Sequence, residues 1–294
     1  MHKVCAMTIV VVGSLHYDIM VDAPDRPRKG ETVTGDRWYP KFGGKGGNQA
    51  VAAAVAGAKT RFVGAVGQDN FADLMRTTLQ QHGIATDHVA TITGHGTGMS
   101  VAIIDGDGDY GAVIVSGANT MIDVTQFDSA ALWQDARILI LQNEIPEAAN
   151  IAAARAAQKR RIQVCLNAAP WRPMSQELMD LVDILVVNAL EAEDMCGLAV
   201  DNLASAKQAA VSLTDKVHTA IVTAGGAGVA WSTRGQAAQT RPAHQVTLVS
   251  THGAGDMFIG TLCHALAHNS DLGGAIETAN AAAARHISTE RPQS

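Results

Sequence analysis

The 294-residue chain carries 22 Lys and Arg against 28 Asp and Glu, a formal net charge of -6 that argues against a nucleic-acid partner. Hydrophobic residues make up 47% of the chain and aromatic residues only 4%, with 28 glycines, which is typical of a globular protein with helices packed closely on a sheet. No apolar run approaches the roughly 20 residues that a membrane-spanning helix needs. The four cysteines are far apart without metal-binding spacing, which favours reduced thiols in the cytoplasm.

The first apolar run, residues 7–12, is rich in β-branched residues and ends at Gly13, which predicts a buried parallel strand. Residues 19–42 contain several prolines and glycines between short extended pieces such as Thr32-Val33-Thr34, and they predict a strand-and-loop insertion. The elements predicted next are a helix at 47–57, a strand at 60–66 and a helix at 71–83.

Residues 99–104 and 112–115 are extended runs joined by a turn rich in Asp and Gly, which predicts a hairpin. The turn contains a formal dinucleotide-binding pattern of glycines at 106, 108 and 111, but its flanks are two strands and no helix follows. It also resembles the start of a calcium loop through Asp105, Asp107 and Asp109. Tyr110 and Ser116 stand where that loop requires Gly and Glu. We therefore expect an acidic hairpin tip, which with residues 19–42 can form a small sheet outside the main core.

Strand and helix patterns alternate in the second half of the chain. The predicted strands are 138–141, 163–166, 184–187 and 219–223, and the predicted helices are 147–160, 175–181 and 203–214. This alternation predicts an α/β fold with a parallel sheet covered by helices on both faces. Ligands of such folds bind at the carboxyl ends of the strands.

A small-residue turn at 251–260 delivers one carboxylate to the first turn of a helix. The backbone N–H groups of Gly253, Ala254 and Gly255 lack helical partners and lie at the positive end of the helix dipole, so they can bind a phosphate or a developing oxyanion. Asp256 beside them can accept a proton from an attacking hydroxyl. A simple turn in which Asp caps the helix explains the same residues equally well.

A second glycine-rich segment, GGKGGNQA at residues 43–50, precedes the predicted alanine-rich helix. Its glycines permit close backbone approach, and Asn48 adds an amide at a helix start, which suits a hydroxylated ligand. The alternative is a helix N-cap that follows a flexible loop.

Together the two segments resemble the signatures of the ribokinase-like, or PfkB, family of carbohydrate kinases, and the resemblance covers nearly the whole chain. It implies a three-layer α/β/α sandwich around a central, mostly parallel sheet, within one kinase domain spanning residues 1–294. A small β-sheet lid is implied for about 15–42 and 97–116. The other landmarks agree best with the ribokinase branch of the family.

The resemblance implies a cytoplasmic, ATP- and Mg²⁺-dependent kinase that phosphorylates a primary hydroxyl of a small sugar, D-ribose above all. It also implies a homodimer formed through the lid. A nucleoside kinase or another carbohydrate kinase of the family is one alternative, supported by His16 in place of the family's Asn, since imidazole can stack on or bond to a base. A non-catalytic sugar-binding protein on this fold is the other.

The resemblance also assigns residue roles. Asp256 is the catalytic base, with Gly253, Ala254 and Gly255 forming the anion hole. The implied sugar ligands are His16 and Asp18 of the GSLHYD segment, Gly44, Lys45, Asn48, and Glu144 of the QNE segment. The implied nucleotide-binding residues are Asn188, Thr223, Gly225, Gly226, Gly228 and Asn280.

Two implied metal sites differ in how well the residues match the family. Asn188 and Glu191 fit an NxxE motif in which Glu191 binds Mg²⁺ through water, and one or two carboxylates suffice for this ion. Without the resemblance, the pair is an ordinary helix N-cap region. Thr251 is the candidate ligand for a monovalent cation, but Ser250 stands where the family often has Asp, which argues against potassium activation.

Overall fold

A computed structural model of the protein describes residues 7–106 and 110–289. Its strands are β1 (Thr8–Val12), β2 (His16–Asp22), β3 (Arg37–Gly43), β4 (Lys59–Gly67), β5 (Ala85–Ile92), β6 (Met99–Ile104), β7 (Tyr110–Val115), β8 (Ala136–Gln142), β9 (Gln163–Asn167), β10 (Ile184–Asn188), β11 (Thr219–Thr223), β12 (Gly228–Thr233) and β13 (Gln239–Pro242). Its α-helices are α1 (Lys45–Val55), α2 (Phe71–Gln81), α3 (Ala130–Trp133), α4 (Glu147–Gln158), α5 (Gln176–Met179), α6 (Ala189–Cys196), α7 (Leu203–Leu213), α8 (Ala254–Ala267) and α9 (Leu272–Ser288). Among the described residues, no helix has the length and apolar character required to cross a bilayer.

The large sheet has the strand order β13-β12-β11-β10-β9-β8-β1-β4-β5. Its neighbours are parallel except in the pairs β11–β12 and β12–β13, which confirms the predicted mostly parallel sheet. The chain proceeds from β1 toward β5 on one side and from β8 toward β13 on the other. The order therefore reverses between β1 and β8, and the crevice at the carboxyl ends of these strands is where open α/β sheets bind ligands.

Helices cover both faces of this sheet because its central strands are apolar on both sides. On β8, Leu139 and Leu141 belong to a buried cluster with alanines of α4 and α7, while Ile138 and Ile140 belong to another with α1, α8 and α9. Successive strand residues point to opposite faces, so one aliphatic strand supplies both clusters. The result is the predicted three-layer α/β/α arrangement.

A separate small sheet has the order β3-β2-β6-β7. Strand β2 is parallel to β6, whereas β2–β3 and β6–β7 are antiparallel, so the predicted hairpin is present. The hairpin tip at 107–109, with Gly108, Asp107 and Asp109 of the two motifs rejected above, lies outside the described residues. The edge strands β3 and β7 carry exposed apolar side chains, including Trp38, Val113 and Ile114.

A buried amide fixes the point where the chain leaves the large sheet for the small one. The Asn119 side chain accepts a hydrogen bond from the Leu15 N–H and donates one to the Leu15 carbonyl, both at 2.9 Å. Close by, the Tyr17 N–H donates to the Gly98 carbonyl at 2.8 Å, where β2 and β6 begin to pair. These bonds hold residues 14–18 in a defined position between the two sheets.

The structure differs from the sequence predictions mainly at polar or short elements. Strand β5 was not predicted because it lies at the sheet edge and, apart from Val89, is partly buried or exposed, so it lacks an apolar pattern. The antiparallel strands β12 and β13 and the short helix α3 were also missed. Thr32-Val33-Thr34 forms no strand, and the predicted helix at 175–181 shortens to α5, which begins after the Ser175 N-cap.

The described cysteines, Cys165, Cys196 and Cys263, are free thiols, as predicted, and Cys5 lies outside the described residues.

Substitution by alanine should have different effects on stability at two glycines that lie in helices. A Cβ at Gly260 of α8 would lie 2.5 Å from the Ala52 Cβ and 2.5 Å from the Ala53 N of α1, so Gly260→Ala should lower the free energy of unfolding by about 1–3 kcal/mol. A Cβ at Gly273 of α9 meets only ordinary contacts, and Gly273→Ala should be neutral or stabilise by up to about 1 kcal/mol. Urea unfolding of both variants checks this contrast. Equal free energies of unfolding would contradict it.

Candidate active site

Asp256 is the third residue of α8 and lines a cavity of about 420 Å³ at the carboxyl edge of the large sheet. Its Oδ1 accepts a hydrogen bond from Gln49 Nε2 at 3.0 Å, and its Oδ2 accepts one from Asn48 Nδ2 at 3.2 Å. Both donors lie on α1, which packs directly against α8. The carboxylate is therefore held at a fixed place, and Lys45 of the same helix also lines the cavity.

Burial raises the pKa of Asp256, because a charged carboxylate is less stable out of water. The positive charge of Lys45 and the two amide donors oppose this effect and favour the charged form, while the negative charge of Glu144 adds to it. A carboxylate with a raised pKa is a better proton acceptor than an exposed one.

The start of α8 presents unused backbone donors beside this carboxylate. Within the described ranges, the N–H groups of Gly253, Gly255 and Asp256 donate to no protein acceptor, whereas the N–H of Ala254 donates to the Thr251 carbonyl at 3.2 Å. The Asp256 N–H is thus a further free donor at this turn, and the anion-hole role of Gly253, Ala254 and Gly255 stays a prediction. Gly253 has φ 78°, a left-handed conformation that glycine adopts without strain. These donors and the helix dipole form a site for an anion.

The start of α1, in contrast, has its backbone donors occupied by protein. The Lys45 N–H donates to Glu144 Oε2 at 2.8 Å, the Gly46 N–H to Ser14 Oγ at 3.3 Å and the Gly47 N–H to the Ser14 carbonyl at 2.9 Å. A Cβ at Gly46 would lie 2.6 Å from the Ser14 N. These glycines therefore let α1 approach the end of β1, and the side chains of Lys45 and Asn48 are what the segment offers a ligand.

The predicted sugar ligands Asp18, His16 and Glu144 gather where the chain passes from β1 of the large sheet to β2 of the small sheet. Asp18 is buried, and its Oδ1 accepts a hydrogen bond from Ser100 Oγ at 2.6 Å. Glu144 Oε2 accepts one from Ser14 Oγ at 2.5 Å and lies 3.9 Å from His16 Nδ1. Burial raises the pKa of Asp18, opposed by the Ser100 hydrogen bond and by the charges of neighbouring basic groups.

His16 carries an unused polar atom within this group. The side chain is buried, at 3% exposure, and its Nε2 has no hydrogen-bond partner among the described residues. A buried ring nitrogen without a partner is costly unless a ligand or water satisfies it. His16 therefore offers a donor or an acceptor to a bound molecule.

Gly43 keeps space free for the Asp18 carboxylate. A Cβ at Gly43 would overlap Asp18 Oδ2, so Gly43→Ala should displace the carboxylate and weaken sugar binding by roughly tenfold. ATP binding should stay unchanged, and isothermal titration of both ligands checks this. In Gly106→Ala, in the turn after β6 of the same small sheet, the added methyl lies 3.4 Å from its nearest neighbour, the Pro24 carbonyl oxygen. Equal sugar affinity in the Gly43 and Gly106 variants would contradict the prediction.

The predicted nucleotide-binding residues divide into two groups. Asn188, Thr223 and Gly225 line the same cavity as Asp256. Gly226, Gly228 and Asn280 are not among its lining residues. A Cβ at Gly226 would meet open space, Gly228 packs against the Arg241 carbonyl across the β12–β13 pair, and Asn280 Nδ2 donates to the Pro242 carbonyl at 2.9 Å.

Asn188 and Glu191 cap the start of α6. Their local geometry is therefore the helix N-cap that the residues alone predict. Asn188 Oδ1 accepts from the Glu191 N–H and Glu191 Oε2 from the Asn188 N–H, both at 2.9 Å. Glu191 Oε1 accepts no hydrogen bond from the described residues, and Glu191 lines the cavity. Burial raises the pKa of Glu191, and the charge of Lys45 opposes it.

This donor set fits a magnesium ion that keeps most of its water. Within residues 7–106 and 110–289, no group of three or more His, Cys, Asp or Glu side chains is placed to hold a metal. Mg²⁺ in nucleotide sites commonly uses phosphate oxygens and water, with one or two carboxylates. The free oxygen of Glu191 is suited to bind such a metal-bound water.

The predicted monovalent-cation ligand, Thr251, also lines the cavity, and its carbonyl accepts the Ala254 N–H. Ser250 Oγ accepts from the His252 N–H at 3.3 Å. A cation role for Thr251 stays a prediction.

Sequence reasoning assigned no role to several residues that shape the site, namely Ser14, Gln49, Ser100, Asn119 and Asn167, although Asn167 begins an NAAP segment that resembles a motif of the family. Ser14 and Gln49 lie within the two quoted segments and could have been noticed as polar residues next to predicted ligands. Ser100, Asn119 and Asn167 are distant in sequence from their partners, and only the fold brings them to the site.

Known proteins resemble this chain over nearly its whole length. The family model "pfkB family carbohydrate kinase" matches residues 6–294. The chain is 35% identical to a ribokinase of Haemophilus influenzae over 98% of this chain and 94% of that protein. It is 33% identical to a deoxyribokinase of Salmonella typhi over 98% and 95% of the two chains. The solved structure of Arabidopsis thaliana ribokinase complexed with ribose and ATP superposes with a TM-score of 0.90, at 29% identity and with 97% of this chain and 94% of that chain covered. The chain therefore belongs to the pfkB family of carbohydrate kinases and is an ATP-dependent carbohydrate kinase.

Proposed function

We propose that this kinase transfers the γ-phosphoryl group of ATP to the primary hydroxyl of a small sugar, with D-ribose as the substrate. The observation that carries the proposal is the Asp256 carboxylate beside three unused backbone donors in one cavity at the carboxyl edge of the sheet. A proton acceptor next to an anion site is the arrangement that phosphoryl transfer to a hydroxyl needs.

In this mechanism Asp256 accepts the hydroxyl proton as the sugar oxygen attacks the γ-phosphorus. The new P–O bond forms as the bond to the β-phosphate oxygen breaks, and ADP leaves. The N–H groups of Gly253, Gly255 and Asp256 stabilise the negative charge that spreads over the transferred group. Lys45 adds positive charge on the same side. Glu191 would hold a magnesium ion through water, and the ion would supply further charge neutralisation on the phosphates when bound.

The sugar is held by the group around Asp18. Asp18 and Glu144 each have a carboxylate oxygen available for sugar hydroxyls, Asn48 adds an amide, and His16 Nε2 adds a group that nothing in the described chain satisfies. Gly44 lies at the same turn. The nucleotide would contact the part of the cavity lined by Asn188, Thr223 and Gly225, which we call the nucleotide side. Further candidate contacts of the nucleotide are Gly226, Gly228 and Asn280.

Two observations support D-ribose. A ribokinase is among the curated relatives at 35% identity, and the solved structure of a 29% identical ribokinase contains ribose and ATP. A 33% identical deoxyribokinase makes 2-deoxy-D-ribose the second candidate. The two sugars differ by one hydroxyl, and a site built to bond that hydroxyl discriminates strongly against its loss.

The experiment measures ADP release over D-ribose, 2-deoxy-D-ribose, D-fructose and adenosine. We expect the highest kcat/KM with D-ribose. A higher value with 2-deoxy-D-ribose would overturn the choice of sugar, and a higher value with adenosine would overturn the sugar-kinase mechanism in favour of a nucleoside kinase. Tight sugar binding by calorimetry without ADP release would identify a sugar-binding protein.

We also propose that the chain forms a homodimer through the small sheet, in the cytoplasm where ATP is available. The exposed apolar residues of β7, with Val113 at 69% exposure, and the open edges of β3 and β7 support this assembly. Sedimentation equilibrium should give twice the chain mass for the native protein and a monomer for Val113→Asp. A native monomer would contradict the proposal.

Potassium should not be required, because Ser250 replaces the acidic residue at the candidate cation site. We expect equal rates in potassium and tetramethylammonium salts, and a rate that depends on potassium would show that Thr251 and its surroundings bind the ion without that carboxylate.

A further inference from the structure

Gln49 is fully buried, and the function described above gives it no role. It lies on α1 beside the predicted sugar ligand Asn48 and is 0% exposed. Its Nε2 donates to Asp256 Oδ1 at 3.0 Å and to Asn167 Oδ1 at 3.0 Å. An amide nitrogen carries two hydrogens, so both are used.

The direction of these hydrogen bonds follows from a backbone carbonyl group, which can only accept a hydrogen bond. The Val186 carbonyl of β10 is only an acceptor, and Asn167 Nδ2 donates to it at 3.2 Å. This leaves Asn167 Oδ1 as the acceptor that faces Gln49, so Gln49 must present its NH₂ group. A flipped Gln49 amide would place its oxygen against two acceptor oxygens. The sheet therefore fixes the Gln49 amide, and that amide fixes one oxygen of Asp256.

We propose that Gln49 is a positioning residue for phosphoryl transfer, which holds the Asp256 carboxylate so that its other oxygen faces the attacking hydroxyl. The inference rests on the proposed role of Asp256 as the base. Asn167 supports it by orienting the Gln49 amide. Gln49 itself is fully buried and is not among the residues that line the cavity.

The charged groups around Asp256 act on the same carboxylate and must be considered in any pH measurement. Lys45 approaches from α1, Glu144 from the turn after β8, and Glu191 from α6. The Gln49 hydrogen bond lowers the pKa of Asp256 against the effect of burial. Loss of this donor should therefore favour the protonated, inactive carboxyl group of Asp256. The acidic limb of the pH–rate profile should then move to higher pH.

The test is Gln49→Met, which keeps the length of the side chain and removes both donors. With D-ribose and ATP, or with the sugar that the substrate panel identifies, we expect the single-turnover rate at pH 7 to fall by about 10- to 100-fold. The acid limb should move to higher pH, and the KM values for sugar and ATP should change by less than about threefold. Gln49→Leu, which also removes both donors, should shift the limb in the same direction and serves if the Met variant fails to fold.

Thr60→Val is the control for lost stability. It removes a buried hydrogen bond to the Ala58 carbonyl at the amino end of β4, the end of the sheet opposite the site. This variant should unfold more readily and keep the native pH profile. The positioning role would be overturned if the acidic limb of the pH–rate profile were the same in a Gln49 variant and in the native protein. It would also be overturned if Thr60→Val lost as much rate as the Gln49 variant.

A second readout separates this inference from the proposed function. Carbon-13 NMR follows the Asp256 carboxyl group directly, with its signal assigned as the one missing from Asp256→Asn. The signal should titrate at higher pH in Gln49→Met than in the native protein, and an unchanged titration would overturn the inference. Full activity of Asp256→Asn would instead overturn the proposed function.

Discussion

Replacement of Asp256 by Asn should lower the single-turnover rate of phosphoryl transfer by about 10²- to 10⁴-fold. The amide keeps the shape of the carboxylate but cannot accept the hydroxyl proton. The free N–H groups of Gly253 and Gly255 remain, so residual activity above background is expected. Quenched-flow measurement with saturating sugar and excess enzyme over ATP isolates the chemical step from product release.

Asp73→Asn is the matched control for this variant. Asp73 is also the third residue of its helix, α2, but it is exposed and is not among the residues that line the cavity. Its substitution should leave the rate unchanged. A rate for Asp256→Asn within threefold of the native value would contradict the assignment of Asp256 as the base.

The same variant makes a prediction about stability with a defined sign. Burial raises the pKa of Asp256 in the folded protein, so folding favours the neutral form. The associated stability is present at low pH and is lost as the pH rises through the folded-state pKa. At pH 8 the native protein therefore holds an unfavourable buried charge that Asp256→Asn lacks. We expect the thermal midpoint of the variant at pH 8 to equal or exceed that of the native protein, and a lower midpoint would show that the hydrogen bonds outweigh burial.

The second large effect is expected for Asp18→Ala, which should raise the KM for the sugar by about 100-fold or more. Two hydrogen bonds from sugar hydroxyls to a carboxylate contribute about 1.5–3 kcal/mol each, and loss of both accounts for this factor. The Kd of a non-hydrolysable ATP analogue should remain the same, because Asp18 is not among the residues that line the nucleotide side of the cavity. Steady-state kinetics and calorimetry measure the two effects separately.

Asp22→Ala supplies the comparison within the same strand. Asp22 lies four residues farther along β2 and pairs with the exposed Arg37, a surface ion pair of small energetic value. Its removal should leave both ligands' binding unchanged. A similar rise in sugar KM for the Asp22 and Asp18 variants would indicate distortion of the small sheet rather than a lost ligand.

The sequence was most informative where a buried apolar run ended in a turn. Strands such as β1 and β10 have aliphatic residues on both faces, so their pattern identifies them without any neighbour. Strand β5 could not be found in this way, because its stability comes from pairing with β4 at the sheet edge. Residues 32–34 were predicted to be extended but form no strand. Their β-branched residues favour an extended chain, but they do not supply a partner strand.

The candidate site shows the same division between local and tertiary information. The turn at Gly253 and the first turn of α8 are local, so the free donors near Asp256 could be predicted, although Ala254 proved to be engaged. The partners of Asp256 lie more than 200 residues earlier in the chain. The sequence pointed to Asn48 as an amide at a predicted helix start, and the family resemblance made it a sugar ligand. It missed Gln49, because the direction of its amide is set by β9 and β10.

The most direct test of the account is phosphorus-31 NMR of the products from ATP and D-ribose. A phosphate ester of the primary hydroxyl is coupled to two protons on its carbon, so its signal is a triplet, whereas an ester of a secondary hydroxyl gives a doublet. We predict one triplet that grows in step with ADP in the native protein and is nearly absent with Asp256→Asn. ADP with free phosphate and no ester, or equal ester formation by the two proteins, would contradict the assignment of Asp256 as the base that directs phosphoryl transfer to the sugar.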